Sequence, residues 1–179
     1  MKKICIYAGS RTGKNKEYVK AARELGRLLA RGGINVVFGG GKVGLMGVVA
    51  DTVLAEGGTI TGVIPKAMVP WEVAHAGCTK LIVVKTMHER KAKMHELSDG
   101  FIALPGGIGT LEELSEVLSW LSLGFHVKPV GLLNVGGYYD KLLAFLDHTV
   151  TDGFMAPKFQ KMLRIGKTPE ELLEKMMVL

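Results

Sequence analysis

The sequence predicts an α/β protein in which a mostly parallel sheet carries helices on both faces. Short, almost wholly apolar segments alternate with longer amphipathic segments, and the connections between them are short. Strands that are apolar on both sides are typical of parallel sheets buried between two helix layers. The expected architecture is therefore a Rossmann-like three-layer sandwich.

The strands are predicted from short apolar runs, and the helices from amphipathic patterns with capping residues. The predicted strands are residues 3–7, 35–38, 59–64, 80–84, 101–104 and 129–133. The predicted helices are residues 16–31, 44–56, 87–98, 110–123, 138–152, 157–163 and 168–177. Asn15 is a suitable N-cap for the first helix, and Gly32-Gly33 follow its end.

Ligands of parallel sheets bind at the carboxyl ends of the strands. The loops that carry unusual residues at that edge are 8–15, 39–47, 86–91 and 104–113. The functional site is therefore expected where these loops meet.

Length and composition bound the class of protein. A chain of 179 residues suits one domain, so residues 1–179 are expected to form a single nucleotide-binding domain. No apolar run reaches the roughly 18 residues of a membrane helix, and the first apolar run is a strand and not a signal peptide. With only Cys5 and Cys78, a cytoplasmic location is expected. No spacing of Cys or His suggests a metal, and no cofactor is expected.

The formal net charge is +6, but the charges are scattered along the chain. The densest cluster, Arg90-Lys-Ala-Lys93, is one helical turn without interleaved aromatic residues. This pattern favours a small anionic ligand over nucleic acid.

A glycine-rich motif, Pro105-Gly-Gly-Ile-Gly-Thr110, joins the fifth predicted strand to an amphipathic helix. Glycine lets the backbone approach a ligand closely, and a helix start offers free N–H groups and a positive dipole end. The motif therefore predicts a phosphate site.

Two other glycine loops are weaker signals. Gly39-x-Gly41-x-x-Gly44 matches the dinucleotide fingerprint, but no acidic residue for the ribose ends the following strand at Pro65. The loop is also not the first strand-to-helix turn, so an NAD-dependent oxidoreductase is disfavoured. Ala8-Gly-Ser-Arg-Thr-Gly-Lys-Asn15 is a near miss to a P-loop and lacks its Ser or Thr magnesium ligand, so an ATPase is rejected. Both loops remain candidates for contact with a nucleotide.

Two charged residues fall in apolar helix stripes. At 100° per residue, Glu113 lies between Trp120 and Val117 on the buried face, whereas Glu112 lies outside it. Arg90 lies within the apolar stripe of the preceding helix, and an arginine there is costly unless it is paired. A structural ion pair is one interpretation. A catalytic pair is favoured, because both charges lie early in helices that begin at the ligand-binding edge.

These residues suit chemistry at a ribose held next to a bound phosphate. A carboxylate there can hydrogen-bond the sugar, stabilise an oxocarbenium-like centre or position a water. An arginine can hold the phosphate or help a leaving group depart. A nucleotide-binding protein without catalysis remains the alternative hypothesis.

Several motifs resemble one known family. Pro105-Gly-Gly-Ile-Gly-Thr-Leu-Glu-Glu113 matches the PGGxGTxxE motif of that family, and Met87-His-Glu-Arg-Lys91 is similar to its arginine-lysine motif. Gly39-Gly-Gly-Lys-Val-Gly-Leu-Met-Gly47 also resembles it, as does the stretch from Trp120 to Tyr139, which contains Lys128-Pro-Val-Gly-Leu-Leu-Asn134. On these motifs the chain is identified as a member of the LONELY GUY family of cytokinin riboside 5′-monophosphate phosphoribohydrolases, often mislabelled lysine decarboxylases.

The resemblance implies hydrolysis of the N-glycosidic bond of a nucleoside 5′-monophosphate, either AMP or N6-prenylated AMP, without a cofactor. It implies that Arg90 and Glu113 are catalytic and that the protein is a homodimer. Together with the loop analysis, it gives these substrate-binding candidates: Gly9, Ser10, Gly40, Gly41, Glu72, Arg90, Lys91, Gly106, Gly107, Ile108, Gly109, Thr110 and Glu112. Trp71 stands where members of the family often have arginine, which bears on base preference.

Overall fold

The computed structural model describes residues 1–69 and 74–177. Within these ranges the strands are β1 Lys3–Tyr7, β2 Asn35–Phe38, β3 Ile60–Pro65, β4 Lys80–Val84, β5 Gly100–Ala103, β6 Val130–Leu133 and β7 Leu163–Gly166. The α-helices are α1 Lys16–Arg31, α2 Gly44–Ala55, α3 Met87–Leu97, α4 Ile108–Ser122, α5 Asp140–Thr151 and α6 Pro169–Met177. Short 3-10 helices span Lys66–Met68, Val135–Gly137 and Pro157–Lys161. None of the helices in this part of the chain has the length and apolar composition needed to cross a membrane.

The strands form one parallel sheet in the order β4-β3-β2-β1-β5-β6-β7. Alternate residues of β1 face opposite sides of it. Ile4 and Ile6 pack in a core with α1, α2 and α6, whereas Cys5 and Tyr7 pack in a second core with α3, α4 and α5. The predicted three-layer α/β sandwich is confirmed.

The strand order reverses between β1 and β5, which lie side by side in the middle of the sheet. Such a switch point opens a crevice at the carboxyl ends of the two strands. The loop after β1 and the glycine-rich loop after β5 meet there, and the Gly9 N–H donates to the Pro105 carbonyl oxygen at 3.1 Å. The topology therefore brings together two loops that are about 95 residues apart in sequence.

The predicted N-cap of α1 is confirmed. Asn15 Oδ1 accepts from the Glu17 backbone N–H at 3.0 Å, which satisfies one of the free donors of the first turn. Helix α4 begins at Ile108, two residues earlier than predicted, because Gly107 takes an extended conformation and serves as its N-cap. Glu112 and Glu113 consequently lie in the second turn of α4 and not in the first.

The end of the chain differs from the prediction. Residues 157–163 were expected to form a helix, but a 3-10 helix ends at Lys161 and strand β7 follows at Leu163. The strand has four residues and contains Arg164, and it pairs only with β6. Its alternation is therefore too short to signal a strand, and pairing with β6 decides its conformation.

Candidate active site

A cavity of about 470 Å³ lies at the carboxyl end of the sheet, beside the switch point. It collects residues from the loop after β1, the 3-10 helix after β3, the starts of α2, α3 and α4, and the glycine-rich loop. Its lining residues are Ala8, Gly9, Ser10, Met46, Met68, Met87, Arg90, Gly107, Ile108, Gly109, Thr110, Glu112 and Glu113. We call it the Arg90 cavity. Most of the predicted site residues therefore share one space.

The first turn of α4 forms one wall of this cavity. Gly107, Ile108 and Gly109 are exposed, and no side chain caps the helix. The first N–H groups of a helix have no partner within the helix, and the helix dipole makes this end positive. Thr110 Oγ1 occupies the space that a side chain at Gly106 would need, which explains the glycine at that position. This wall is suited to hold a phosphate, as the sequence predicted.

Arg90 is 5% exposed, and backbone carbonyl oxygens fix its guanidinium group. Its Nε donates to Val63 O at 3.1 Å, and its Nη2 donates to Gly39 O at 3.0 Å. Its Nη1 lies 3.8 Å from Met68 Sδ and 3.6 Å from Met87 Sδ, on the cavity wall. The carboxyl ends of β2 and β3 therefore hold a cation in a defined orientation at the rim of the sheet.

The two adjacent glutamates of α4 lie in different environments. Glu113 is half-buried and Glu112 is exposed, as the helical periodicity predicted. Burial first, and then the charge of Glu113, raises the pKa of the buried Cys5 thiol, while Arg90 opposes this. Glu113 and Arg90 both line the Arg90 cavity, at the carboxyl end of the sheet.

Some of the predicted binding residues do not line the Arg90 cavity. Lys91 is not among the residues that line the Arg90 cavity, and its Nζ bonds Glu116 at 2.7 Å and also Glu112 of the cavity wall. Gly40 and Gly41 are buried and line no part of the Arg90 cavity, because their loop packs against the ends of β3 and β4. Glu72, together with Trp71, lies outside the described residues.

The glycine-rich loop also lines a second cavity, of about 340 Å³. Gly106 lines this cavity and not the Arg90 cavity. Its lining residues are Gly9, Ser10, Arg11, Thr12, Gly13, Tyr18, Leu45, Pro105, Gly106, Gly107 and Tyr138. We call it the Tyr138 cavity. Gly9, Ser10 and Gly107 line both cavities.

Sequence reasoning missed two features of the site. Met46, Met68 and Met87 line the Arg90 cavity, but their positions resemble those of ordinary core residues. Tyr138 hydrogen-bonds the glycine-rich loop from 32 residues away, and no motif at Tyr138 signals that contact.

The fold and the Arg90 cavity define a class of α/β protein. In this class, a glycine-rich loop of the type that binds phosphate lies at the switch point of a parallel sheet. A family model described as "Possible lysine decarboxylase" matches residues 46–176. The chain is 50% identical to the probable cytokinin riboside 5′-monophosphate phosphoribohydrolase LOGL6 of Oryza sativa subsp. japonica, over 98% of the chain and 70% of that protein. It is 46% identical to the cytokinin riboside 5′-monophosphate phosphoribohydrolase LOG3 of Arabidopsis thaliana, over 98% of the chain and 81% of that protein. The chain belongs to this phosphoribohydrolase family, the LONELY GUY family, as its motifs predicted.

Solved structures of proteins with other functions share the fold. The molybdenum cofactor binding protein from Rippkaea orientalis superimposes with a TM-score of 0.73 at 26% identity, over 97% of this chain and 94% of that one. The molybdenum cofactor carrier protein of Chlamydomonas reinhardtii has a TM-score of 0.71 at 22% identity, over 96% and 93% of the two chains, which shows the fold alone.

Proposed function

We propose that this protein hydrolyses the N-glycosidic bond of a nucleoside 5′-monophosphate, AMP or N6-prenylated AMP, to the free base and ribose 5-phosphate. The observation that carries the proposal is the single cavity in which Arg90 and Glu113 lie beside the first turn of α4. The names of the two relatives described above, both phosphoribohydrolases of cytokinin nucleotides, support it.

The first turn of α4 binds the 5′-phosphate, and the ribose then lies one sugar-width further into the cavity. In the reaction, the bond between C1′ and the base nitrogen breaks and its electron pair leaves with the base. Water forms the new bond to C1′, and its proton balances the charge on the base. Glu113 stabilises the oxocarbenium-like C1′ and orients the water, and Arg90 stabilises the negative charge that develops on the leaving side.

A substrate panel tests this function. The purified protein is incubated with AMP, with isopentenyladenosine monophosphate and with the corresponding nucleosides, and the free base is measured by chromatography. We expect base release from the monophosphates and far less from the nucleosides, because the nucleosides lack the group that α4 binds. Release of no base from any monophosphate would exclude the proposal.

A nucleotide-binding protein without catalysis is the second candidate. The likeness to a molybdenum cofactor binding protein favours it, because that protein shares the fold at 26% identity. This candidate requires saturable binding of a nucleotide in calorimetry and no product after long incubation. Steady release of base would exclude it.

We also propose that residues 1–179 act as one domain and assemble as a homodimer in the cytoplasm. Leu123, Phe125 and Val127 are exposed by 64%, 74% and 89% within five residues of chain, which is typical of a contact surface. Cys5 and Cys78 are both free thiols, which fits a reducing compartment. Size-exclusion chromatography with light scattering measures the molar mass of the protein in solution. A monomeric mass would exclude the dimer.

A further inference from the structure

Two adjacent tyrosines hold the glycine-rich loop through its carbonyl groups. The Tyr139 hydroxyl donates to Leu104 O at 2.6 Å, and the Tyr138 hydroxyl donates to Gly106 O at 2.6 Å. The two bonds have the same chemistry and the same length, and they lie on either side of Pro105. They differ in which peptide group they fix.

Tyr138 is fixed although it is 42% exposed. Its ring makes an edge contact with Tyr139 at 4.8 Å between centroids and another with Tyr18 at 5.4 Å. The turn before it, at Gly136 and Gly137, has positive φ at both glycines and directs the chain back towards the loop. The Tyr138 hydroxyl therefore occupies a defined position beneath the glycine-rich loop.

The planarity of the peptide group decides what this bond does. In a trans peptide the C=O of one residue and the N–H of the next point in opposite directions. Tyr138 lines the Tyr138 cavity, and its hydrogen bond holds the Gly106 carbonyl towards it. The N–H of Gly107 then points away from Tyr138, and Gly107, unlike Gly106 and Tyr138, also lines the Arg90 cavity together with the first turn of α4.

We propose that Tyr138 is a positioning residue for the 5′-phosphate, which acts by holding the Gly107 N–H towards the anion site. Gly107 has no Cβ and is exposed, so this donor is accessible to a ligand. Without the tyrosine hydroxyl the Gly106–Gly107 peptide is free to rotate, and part of its dipole no longer faces the phosphate. The proposal rests on the proposed function for the identity of the ligand.

Tyr139 provides a matched control within the same loop. Its hydroxyl fixes the Leu104–Pro105 peptide, whose nitrogen belongs to proline and carries no hydrogen. Loss of the Tyr139 hydroxyl therefore removes an equivalent hydrogen bond without removing a donor from the anion site. It also leaves the buried Leu104 carbonyl oxygen without that partner, which reduces stability.

The test compares Tyr138→Phe and Tyr139→Phe with the wild type by calorimetric titration. Ribose 5-phosphate is the phosphate-bearing probe, because it has no glycosidic bond to break, and adenosine is the probe without phosphate. We expect Tyr138→Phe to weaken ribose 5-phosphate binding roughly fivefold to tenfold, the usual effect of one lost hydrogen bond, and to leave adenosine binding unchanged. Tyr139→Phe should keep the affinity for ribose 5-phosphate and lower the unfolding temperature.

Kinetics give a second readout. For Tyr138→Phe the KM for AMP should rise while kcat stays close to the wild-type value, because the phosphate is bound equally in the ground state and the transition state. Wild-type affinity for ribose 5-phosphate in Tyr138→Phe, equal losses in the two variants, or equal losses for both probes would overturn the proposal. So would a wild-type protein that binds no ribose 5-phosphate. If the wild type binds ribose 5-phosphate but hydrolyses no nucleotide, the proposed function fails, and the titration still decides the role of Tyr138.

Discussion

At the scale of single residues, the environment of Arg90 explains why a cation is tolerated in an apolar helix stripe. Its guanidinium group donates to two carbonyl oxygens at the ends of strands, so the cost of burying the charge is offset by fixed acceptors. Lysine has one ammonium group and cannot span both carbonyls with the same geometry. Arginine is therefore required at position 90 for this hydrogen-bond geometry.

The adjacent glutamates of α4 allow a direct test of which carboxylate carries the chemistry. Glu113→Gln should lower kcat for AMP by about 10²- to 10⁴-fold, because the amide does not stabilise a positive C1′. Glu112→Gln on the same helix is the matched control and should retain most activity, since Glu112 is exposed and bonded to Lys91. Base release measured by chromatography gives both rates. Equal losses in the two variants would mean that the glutamates share the role.

Gly39 provides a second test at this scale. A side chain added at Gly39 would overlap Arg90 Nη2, so this glycine leaves room for the guanidinium group. Gly39→Ala should displace Arg90 and lower kcat for AMP by more than about tenfold, although Gly39 does not line the cavity. Lys42→Ala, an exposed position in the same loop, is the control. Full activity of Gly39→Ala would show that the exact placement of Arg90 is not needed.

At the scale of elements, an ion-pair network joins α3 to α4 next to the candidate active site. The Lys91 side chain is 11% exposed and bonds both Glu112 and Glu116. Burial disfavours its charged form, but the bonds to the two glutamates outweigh this and raise the pKa of Lys91. Because the pKa is raised, the network stabilises the fold throughout the neutral pH range. This stabilisation is lost only as the pH rises past the ordinary pKa of lysine. Arg90 and Glu113 are sequence neighbours of this network, so it also fixes the spacing of their helices.

Lys91→Met tests the network. The substitution keeps the length of the side chain and leaves Glu112 and Glu116 without their cation, so the free energy of unfolding should fall by about 1–3 kcal/mol. Urea denaturation measures the change. Lys93→Met is the matched control on the same helix; its pair with Glu96 is more exposed, and its loss should cost less than about 1 kcal/mol. Similar losses in the two variants would contradict the structural role of the network.

At the scale of the whole molecule, a histidine cluster makes stability depend on pH. The His95 ring stacks on Phe101 at 5.3 Å and contacts Trp120 and His126, each at 5.0 Å between centroids. Its Nε2 is buried and has no hydrogen-bond partner within the described residues. Burial first, and then the charge of Lys128, lowers the pKa of His95 to about 4. Burial also lowers the pKa of His126.

The sign of the pH effect follows from these lowered values. Between the ordinary histidine pKa and about 4, the unfolded chain binds protons that the folded protein excludes, so stability falls as the pH falls through that range. His95 should account for about 1–2 kcal/mol of the loss between pH 7 and pH 5. His95→Phe should reduce this dependence in thermal unfolding at the two pH values. His88→Gln, at an exposed histidine on the same helix, should keep the wild-type dependence of stability on pH. If His95→Phe also kept that dependence, the histidine cluster would be ruled out as its source.

The layered α/β fold can be predicted from the sequence, because strands buried on both faces must be apolar and their helices must be amphipathic. The glycine-rich loop and the inward orientation of Glu113 can also be predicted, since glycine spacing and helical periodicity are local properties. The remaining features depend on contacts between distant parts of the chain. Strand β7 forms because β6 offers an edge, and Lys91 pairs with two glutamates of α4 because the fold brings them within reach. The Gly39 carbonyl accepts from Arg90, 51 residues away, and the Gly106 carbonyl accepts from Tyr138, 32 residues away. The sheet brings these distant partners together. No local pattern records such contacts, which arise only once the order of the strands is fixed.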